Sequence, residues 1–286
     1  MLSILKYVSG SASSDPASAE DFHRFLVMKN GTHRTTAPGR LAAVDEKFFS
    51  LFGAEPQTAP LRVLDIGVSF GSTTADWLAG FSSRKIAVEL VAMDMCFHVE
   101  VAEIFPGVRV LLEPKTDHPI QLDIAGNGMR TSHRRLDFLT GSFVWRRPLV
   151  AAAKFAAARQ THRDNVMFVE KRLQSATNVT LVEGDFLNGP LPGATGSFDV
   201  IRAANIMQPA YFSDEQMKKI ANRIWSLCKG EGSRVIICQN HADRIDATFL
   251  RMRAGRSFDV EGRFASGSAA EKYLLNAADA AAGAPQ

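Results

Sequence analysis

Short apolar runs recur along this chain, and helical stretches or turn residues separate them. The runs of strand length lie at 61–66, 88–94, 179–183, 198–204 and 234–238. Apolar runs this short, each leading into a turn or a helix, are typical of buried strands in a parallel sheet. The pattern predicts an α/β protein with a mostly parallel sheet and helices on both faces.

Two further runs near the end of the chain predict a terminal antiparallel β-hairpin. Residues 247–253 and 258–264 alternate between apolar and polar positions, and Ala254-Gly255 lies between them as a turn. After residue 275 the chain becomes rich in Ala, Gly and Pro. We therefore predict a disordered tail over 276–286.

The first 58 residues are predicted to form an N-terminal helical arm in front of a main domain that covers residues 59–275. Ser18 is a candidate N-cap for a helix over 19–28. Pro38-Gly39 precedes a second helix, predicted over 41–52.

A large insertion, residues 98–164, is predicted after the second strand of the main domain. Runs at 108–112 and 120–124, with a turn at 126–128, predict short paired strands. An Ala-rich helix is expected over 148–160, with Pro148 in its first turn. Ligands bind at the carboxyl edge of open α/β sheets, so this insertion is a candidate for substrate recognition or for a dimer contact.

Composition indicates one globular enzyme domain with added segments. The chain has 286 residues, of which 46% are hydrophobic and 22% charged, and its formal net charge is +3. This charge is too small to require a nucleic-acid partner. No run approaches the roughly 18 apolar residues of a membrane helix, and the N-terminus lacks the features of a secretory signal. Cys96, Cys228 and Cys238 show no C-x-x-C spacing, so we expect reduced, buried thiols in a cytoplasmic protein.

The most informative segment joins the first strand to the start of a helix. Within residues 61–74, the pattern D-x-G-x-S-x-G begins at Asp65. Its Gly67 and Gly71 allow close approach of a ligand to the backbone. The helix that follows offers unpaired N–H groups at its N-terminus. A dinucleotide fingerprint, G-x-G-x-x-G, fails because positions 69 and 72 are serine.

Further motifs recur in order along the chain. They are a strand ending in Asp94, a strand followed by Gly-Asp-Phe at 184–186, the strand at 197–205 and the helix end, glycine turn and strand at 227–237. Together with residues 61–74 they resemble the motif series of class I S-adenosylmethionine (SAM) dependent methyltransferases. Ser69 replaces that family's middle glycine, and the last turn lacks its proline.

This resemblance implies a Rossmann-like fold whose seven-stranded sheet the terminal hairpin completes. It also implies SAM as cofactor and S-adenosylhomocysteine as product. Asp94 stands where a carboxylate would accept the ribose hydroxyl protons, and Asp185 and Phe186 correspond to the adenine side. The candidate cofactor-binding residues are Asp65, Gly67, Ser69, Gly71, Thr73, Asp94, Met95, Asp185 and Phe186.

Methyl transfer from a sulfonium is an in-line displacement that depends mainly on alignment and electrostatics. A base is needed only for a hydroxyl or a protonated amine acceptor. His241 follows the fifth strand and is the candidate base, while Asn205 and Tyr211 follow the fourth strand and are further candidates for the catalytic site. The irregular spacing of the histidines predicts no metal site.

We expect the methyl acceptor to be an oxygen or nitrogen atom of a small molecule. We expect neither a membrane nor a nucleic acid as partner. An RNA- or protein-directed methyltransferase that uses the basic insertion is the alternative, although no RNA-binding module is recognisable. A non-catalytic binding subunit with this fold is the third reading, and a NAD(P)-linked oxidoreductase ranks lower because its fingerprint fails. The insertion is also a candidate contact surface for a homodimer.

Overall fold

The structure is a computed structural model that describes residues 3–9, 26–29, 37–53, 58–114, 116–132, 137, 139–209, 211–241 and 243–277. Its strands are β1 (Leu61–Ile66), β2 (Val88–Asp94), β3 (His98–Phe105), β4 (Val108–Glu113), β5 (His118–Ile124), β6 (Asn127–Arg130), β7 (Asp164–Met167), β8 (Val179–Glu183), β9 (Val200–Ala204), β10 (Arg234–Asn240), β11 (Ile245–Met252) and β12 (Phe258–Phe264). Its helices are α1 (Ile4–Ser9), α2 (Ala42–Phe52), α3 (Ser72–Ser83), α4 (Phe143–Ala158), α5 (Lys171–Gln174), α6 (Asp214–Leu227) and α7 (Glu271–Leu275).

The chain divides into two compact units. The main unit comprises Gly39–Met95 and Arg172–Gln286, and the second unit comprises Met1–Pro38 and Cys96–Lys171. The division at residue 38 falls within the stretch 1–58 that the sequence suggests as one arm.

The main unit contains a mostly parallel sheet with strand order β12-β11-β10-β9-β1-β2-β8. The five strands from β10 to β8 are parallel, whereas β11 and β12 pair antiparallel. The predicted α/β class is confirmed, and β11 and β12 form the terminal hairpin, with Gly255 in the turn at a φ of +81°.

Helices cover both faces of the main sheet, and the alternation of side chains in β1 shows the division. Leu64 and Ile66 join a core cluster with residues of α6 and α7. Val63 and Asp65 point to the opposite face, where aromatic residues of α2 and α3 pack together. Because both faces are covered, all five residues of β9 are buried.

The strand order reverses between β1 and β9. From β1 the chain proceeds to β2 and β8 on one side, and from β9 it proceeds to β10 on the other. Ligands of open α/β sheets bind at such a switch point, outside the carboxyl ends of the strands. The fold therefore directs attention to the segments that follow β1 and β9.

The second unit has its own antiparallel sheet, with strand order β6-β5-β4-β3-β7. Ala153 and Ala157 of α4 pack on Val110 and Leu122 of this sheet and form a small separate core. The predicted paired strands at 108–112 and 120–124 are confirmed by the pairing of β4 with β5. Strand β7 extends the sheet past residue 164.

Two helix predictions are wrong in detail. Helix α4 begins at Phe143, so Pro148 lies in its second turn and removes only one backbone hydrogen bond. Most of the predicted helix 19–28 lies outside the described residues, and its end is not helical. There Val27 forms a β-bridge and the Lys29 N–H donates to Glu113 Oε2 at 3.1 Å, which occupies backbone groups that a helix would need.

Other expectations concern burial and the end of the chain. Cys96, Cys228 and Cys238 are buried free thiols, as expected. Burial raises the pKa of Cys228 and of Cys238 to about 12, so neither thiol is reactive. The predicted disordered tail, 276–286, is wrong at its start, because Ala277 is buried in the main core. From residue 278 onward it lies outside the described residues. Within the described part of the chain, no helix is long and apolar enough to cross a membrane.

Gly80 provides a test of how tightly α2 packs on α3. A Cβ at Gly80 would lie 2.6 Å from Cε2 of Phe49, whose ring is held against Phe81 and Arg84. In an open helix, Gly→Ala stabilises by about 1 kcal/mol. Here we expect Gly80→Ala to lower the free energy of unfolding by about 1–3 kcal/mol through overpacking.

Denaturant unfolding of four proteins checks this expectation: the wild type, Gly80→Ala, Phe49→Leu and the double variant. In the Phe49→Leu background the alanine should become stabilising, because the ring that it would meet is gone. A stabilising Gly80→Ala in the wild-type background would contradict the tight packing.

Candidate functional site

The loop after β1 follows a path that suits glycine. Gly67 has a φ of +76° and Gly71 a φ of +93°, while Ser69 adopts the left-handed region at +57°. The Gly67 N–H donates to the carbonyl of Met93 at 2.8 Å, which holds the loop against the end of β2. A Cβ on Gly67 would overlap the side chain of Ile206, which follows β9. Gly67 therefore lets the segments after β1 and β9 touch at the switch point.

Polar groups without partners gather where this loop enters α3. Gly71 is the N-cap of α3 and offers no capping side chain, and the first turn of the helix contains no acidic residue. The hydroxyl oxygens of Ser69 and Ser72 are buried and have no hydrogen-bond partner within the described residues. Such groups, beside the positive end of a helix dipole, fit a polar or anionic ligand.

Asp94, at the end of β2, holds this loop in place. Its Oδ2 accepts a hydrogen bond from the Ser69 N–H at 2.7 Å. A carboxylate can accept several hydrogen bonds at once, because its two oxygens offer about four lone-pair sites. The next residue, Met95, has an exposed side chain. The position of Asp94 beside Ser69 agrees with its predicted role, which stays a prediction.

Asp65 points from β1 to the face of the main sheet that α2 and α3 cover. Its carboxylate is 1% exposed and accepts hydrogen bonds from Arg202 Nε at 3.0 Å and Arg202 Nη2 at 2.5 Å. Thr74 Oγ1 donates a further bond to its Oδ2 at 2.7 Å. Asp65 thus fixes the base of the loop, and its predicted contact with a cofactor stays a prediction.

Arg202 joins four elements of the main unit through one guanidinium. Besides Asp65 of β1, it donates to Asp45 of α2 at 3.0 Å and to the carbonyl of Thr73 in α3 at 3.1 Å. Its side chain is fully buried and lies 4.2 Å from the ring centroid of Trp77. Thr73, a predicted cofactor residue, therefore contributes its carbonyl to this buried network.

The sequence analysis did not identify Arg202 as a functional residue. A single arginine inside an apolar strand was the available signal, because a buried cation requires a carboxylate partner. The partner itself cannot be found from spacing, since Asp65 lies 137 positions away.

The ionisation of the network follows from this geometry. Burial opposes the charge of Arg202, but Asp65 and Asp45 outweigh it and raise the pKa of the guanidinium. Burial raises the pKa of Asp45 to about 7, against the lowering effect of Arg202. Asp65 receives two bonds from Arg202 and Asp45 only one, so the guanidinium offsets the burial of Asp45 only in part.

Asp185 and Phe186, on the predicted adenine side, are both engaged in local structure. Asp185 accepts from the Leu187 N–H at 2.8 Å and from Asn188 Nδ2 at 3.0 Å, which shapes the turn after β8. Phe186 is buried in the main core. Their predicted contact with a cofactor stays a prediction.

Asn205 is fixed at the ends of β9 and β10. It has a φ of +63°, and its N–H donates to the carbonyl of Cys238 at 2.8 Å. Its Oδ1 accepts hydrogen bonds from Gln208 Nε2 and from the Asn240 N–H, the latter at 3.3 Å. The structure therefore places Asn205 next to the strand end that carries His241.

His241 forms a pair with a buried carboxylate. Its Nε2 lies 3.0 Å from Oδ2 of Asp246, while its side chain is 40% exposed. Asp246 also accepts from the Ser266 N–H and from Arg244, each at 3.2 Å. A carboxylate at this distance orients the imidazole ring. Tyr211 lies in the turn after β9 with its side chain exposed.

Comparisons with known proteins give only distant similarity. No protein-family model and no curated protein matches the chain. Among solved structures, the chain is similar to the CMeT domain of the citrinin polyketide synthase, with 14% identity and a TM-score of 0.39 over 82% of this chain and 41% of that chain. The [4+2]-cyclase SpnF has 12% identity and a TM-score of 0.33 over 84% and 58%, and the DszA carbon methyltransferase has 15% and 0.30 over 65% and 30%.

The chain spans less than two thirds of each of these three chains. At these identities and TM-scores the similarities carry no argument about activity. The names of these proteins describe those proteins alone.

Arg202→Met tests whether the buried network holds the site together. The substitution leaves Asp45 and Asp65 buried without their cation, so we expect a loss of about 3–5 kcal/mol in the free energy of unfolding. Lys229→Met is the matched control, because Lys229 forms an exposed ion pair with Asp199 at 3.0 Å and should cost about 0–1 kcal/mol.

Denaturant unfolding measures both variants. If Arg202→Met does not fold, Arg202→Lys keeps the charge but loses the forked donor geometry, and it should still be less stable than the wild type. Equal costs for Arg202→Met and Lys229→Met would refute the central role of the network.

The raised pKa of Asp45 predicts that the free energy of unfolding falls as the pH rises. Its pKa in the folded chain is raised from the ordinary 3.8 to about 7, so the folded chain holds the proton more tightly. The contribution of this bound proton to the stability of the folded chain is therefore complete below pH 3.8. It is lost as the pH rises through about 7. Asp45→Asn should remove this loss, so that its stability relative to the wild type rises by on the order of 2 kcal/mol between pH 4 and pH 8.

Urea unfolding across this pH range checks the expectation, with Asp259→Asn as a control at an exposed carboxyl. Parallel pH profiles for the wild type and Asp45→Asn would show that Asp45 is already ionised in the folded chain.

Proposed function

We propose that the main unit is a SAM-dependent methyltransferase that transfers a methyl group by in-line displacement to an oxygen or nitrogen of a small molecule. One observation carries the proposal. At the switch point of a parallel sheet, the N-terminus of α3 has no side-chain cap, and the buried hydroxyls of Ser69 and Ser72 have no partner among the described residues. Asp94, at the end of β2, holds the same loop through the Ser69 N–H. The motif D-x-G-x-S-x-G supplies this arrangement.

The residues present fit the cofactor. Asp94 would accept the ribose hydroxyls while it keeps its bond to the Ser69 N–H. The loop serines and the N-terminus of α3 would hold the polar end of the ligand. Asp185, Phe186 and Met95 would border the adenine. When bound, SAM supplies a methyl group on a positively charged sulfur.

On the acceptor side, three residues would position the acceptor and handle its proton. Asn205 would orient the acceptor group, because its side chain is already fixed by Gln208 and Asn240. His241 would take the proton of a hydroxyl or protonated amine at Nδ1, since Nε2 faces Asp246. Tyr211 would border the acceptor. The segment 98–164 is the proposed source of acceptor selectivity or of a dimer contact.

Other functions are less well supported. A NAD(P)-linked oxidoreductase would also bind its cofactor at the switch point, but Ser69 and Ser72 stand where its fingerprint requires glycine. An RNA- or protein-directed methyltransferase would share the cofactor site and differ only in its acceptor. A non-catalytic binding subunit would bind SAM without turnover.

Asp94→Ala tests the cofactor assignment. We expect the wild-type chain to bind S-adenosylhomocysteine with micromolar-range affinity, and the variant to lose about 1–3 kcal/mol of binding free energy because the ribose hydroxyls lose their acceptor. Asp94→Asn retains an oxygen that can accept from the Ser69 N–H, so it should keep the loop while still weakening the ligand. Isothermal titration calorimetry measures both.

Asp259→Ala, at an exposed carboxylate of β12, is the control for the loss of a negative charge and should bind as the wild type does. Tighter binding of NAD(H) than of S-adenosylhomocysteine would overturn the assignment. SAM binding without transfer to any candidate acceptor would favour the binding-subunit alternative.

A further inference from the structure

Arg40 carries a half-buried positive charge that no group among the described residues satisfies. Its Nε and Nη1 atoms are fully buried and have no hydrogen-bond partner within the described residues. Within the same residues its guanidinium also lacks a carboxylate close enough for an ion pair. Arg202, a fully buried arginine on the same face of the sheet, donates four hydrogen bonds. Unlike Arg202, Arg40 has guanidinium donors with no acceptor among the described residues, so they are open to an acceptor from a ligand.

The guanidinium of Arg40 lies beside the central strands of the main sheet. The charged and titratable groups that act on it are Cys238 of β10, Arg202 of β9 and Asp65 of β1. The preceding residue, Gly39, donates its N–H to Asp76 of α3 at 2.7 Å, which fixes the turn that presents Arg40. Both segments belong to the main unit. Arg40 is thus held beside β1, β9 and β10.

The charge of Arg40 persists at neutral pH. Burial lowers the pKa of its guanidinium to about 10, while the negative charge of Asp65 partly opposes this lowering. A buried cation without a hydrogen-bond acceptor destabilises the folded chain. An anionic ligand would supply the acceptors and remove this penalty on binding.

We propose that Arg40 binds the carboxylate of the amino-acid portion of the cofactor. This inference rests on the function proposed above and adds a residue that no motif of the sequence identifies. A guanidinium offers paired donors that match the two oxygens of a carboxylate. Asp65 does not compete for Arg40, because its oxygens already accept from Arg202 and Thr74.

Two ligands separate this role from a structural one. S-Adenosylhomocysteine contains the carboxylate, whereas 5′-methylthioadenosine has the same nucleoside and thioether without the amino-acid portion. For Arg40→Gln we expect S-adenosylhomocysteine to bind about 10- to 100-fold more weakly, the loss of a charged hydrogen bond. 5′-Methylthioadenosine should bind within about twofold of the wild type, since it makes no contact with Arg40.

Calorimetry on the full chain measures both affinities, and melting temperatures monitor folding. Arg253→Gln, at an exposed arginine of the main unit, is the control and should change neither affinity. If Arg40→Gln does not fold, Arg40→Lys keeps the charge but not the paired donors. It should still weaken S-adenosylhomocysteine selectively.

Each outcome bears on the inference. Equal weakening of both ligands would assign Arg40 a structural role, as a counter-charge to Asp45 and Asp65, and would overturn the proposal. If Arg40 instead binds a carboxylate of the acceptor, Arg40→Gln should leave the affinity for S-adenosylhomocysteine unchanged. That result would overturn the proposal as well. If the wild-type chain binds neither ligand, the proposed function itself fails, and this result is distinct from the other two.

Discussion

The buried ion network of Arg202 is the interaction on which the rest of the main unit depends. One guanidinium binds Asp65 of β1, Asp45 of α2 and the carbonyl of Thr73 in α3, and it lies against the ring of Trp77. Removing the cation from such a network leaves buried carboxylates without a partner, which is far more costly than losing a surface ion pair. The positions of the loop after β1 and of the N-terminus of α3 follow from this network.

Polar groups at this end of the sheet divide into two kinds. Asp65 and Arg202 are fully engaged with other protein groups and therefore hold the framework. Ser69, Ser72 and Arg40 have buried polar atoms without partners among the described residues. Proteins rarely leave buried polar groups unsatisfied, so the second kind marks where a ligand would bind. Asp65, the acidic residue of the motif, thus supports the site, whereas Ser69, Ser72 and Arg40 would contact the ligand.

The acceptor side shows the same separation between support and chemistry. Asn205 adopts a left-handed backbone conformation, and neighbouring residues fix its side chain before any ligand arrives. His241 remains partly exposed while the buried Asp246 orients its ring. Alignment dominates the rate of a displacement reaction, so preformed positions of this kind suit methyl transfer.

The sequence by itself determined the strands of the main sheet, the glycine loop and the terminal hairpin, because apolar periodicity and turn residues act over a few neighbouring positions. It did not predict β3 or β7 of the second sheet. It did not determine the start of α4 or the conformation of Leu26–Lys29, where a bond to Glu113 competes with helix formation. Only the tertiary structure paired Asp65 with Arg202, placed Ile206 against Gly67 and left the Nε and Nη1 of Arg40 without a partner among the described residues. These relations join residues far apart in the chain, and local pattern contains no information about which distant side chain will satisfy a buried charge.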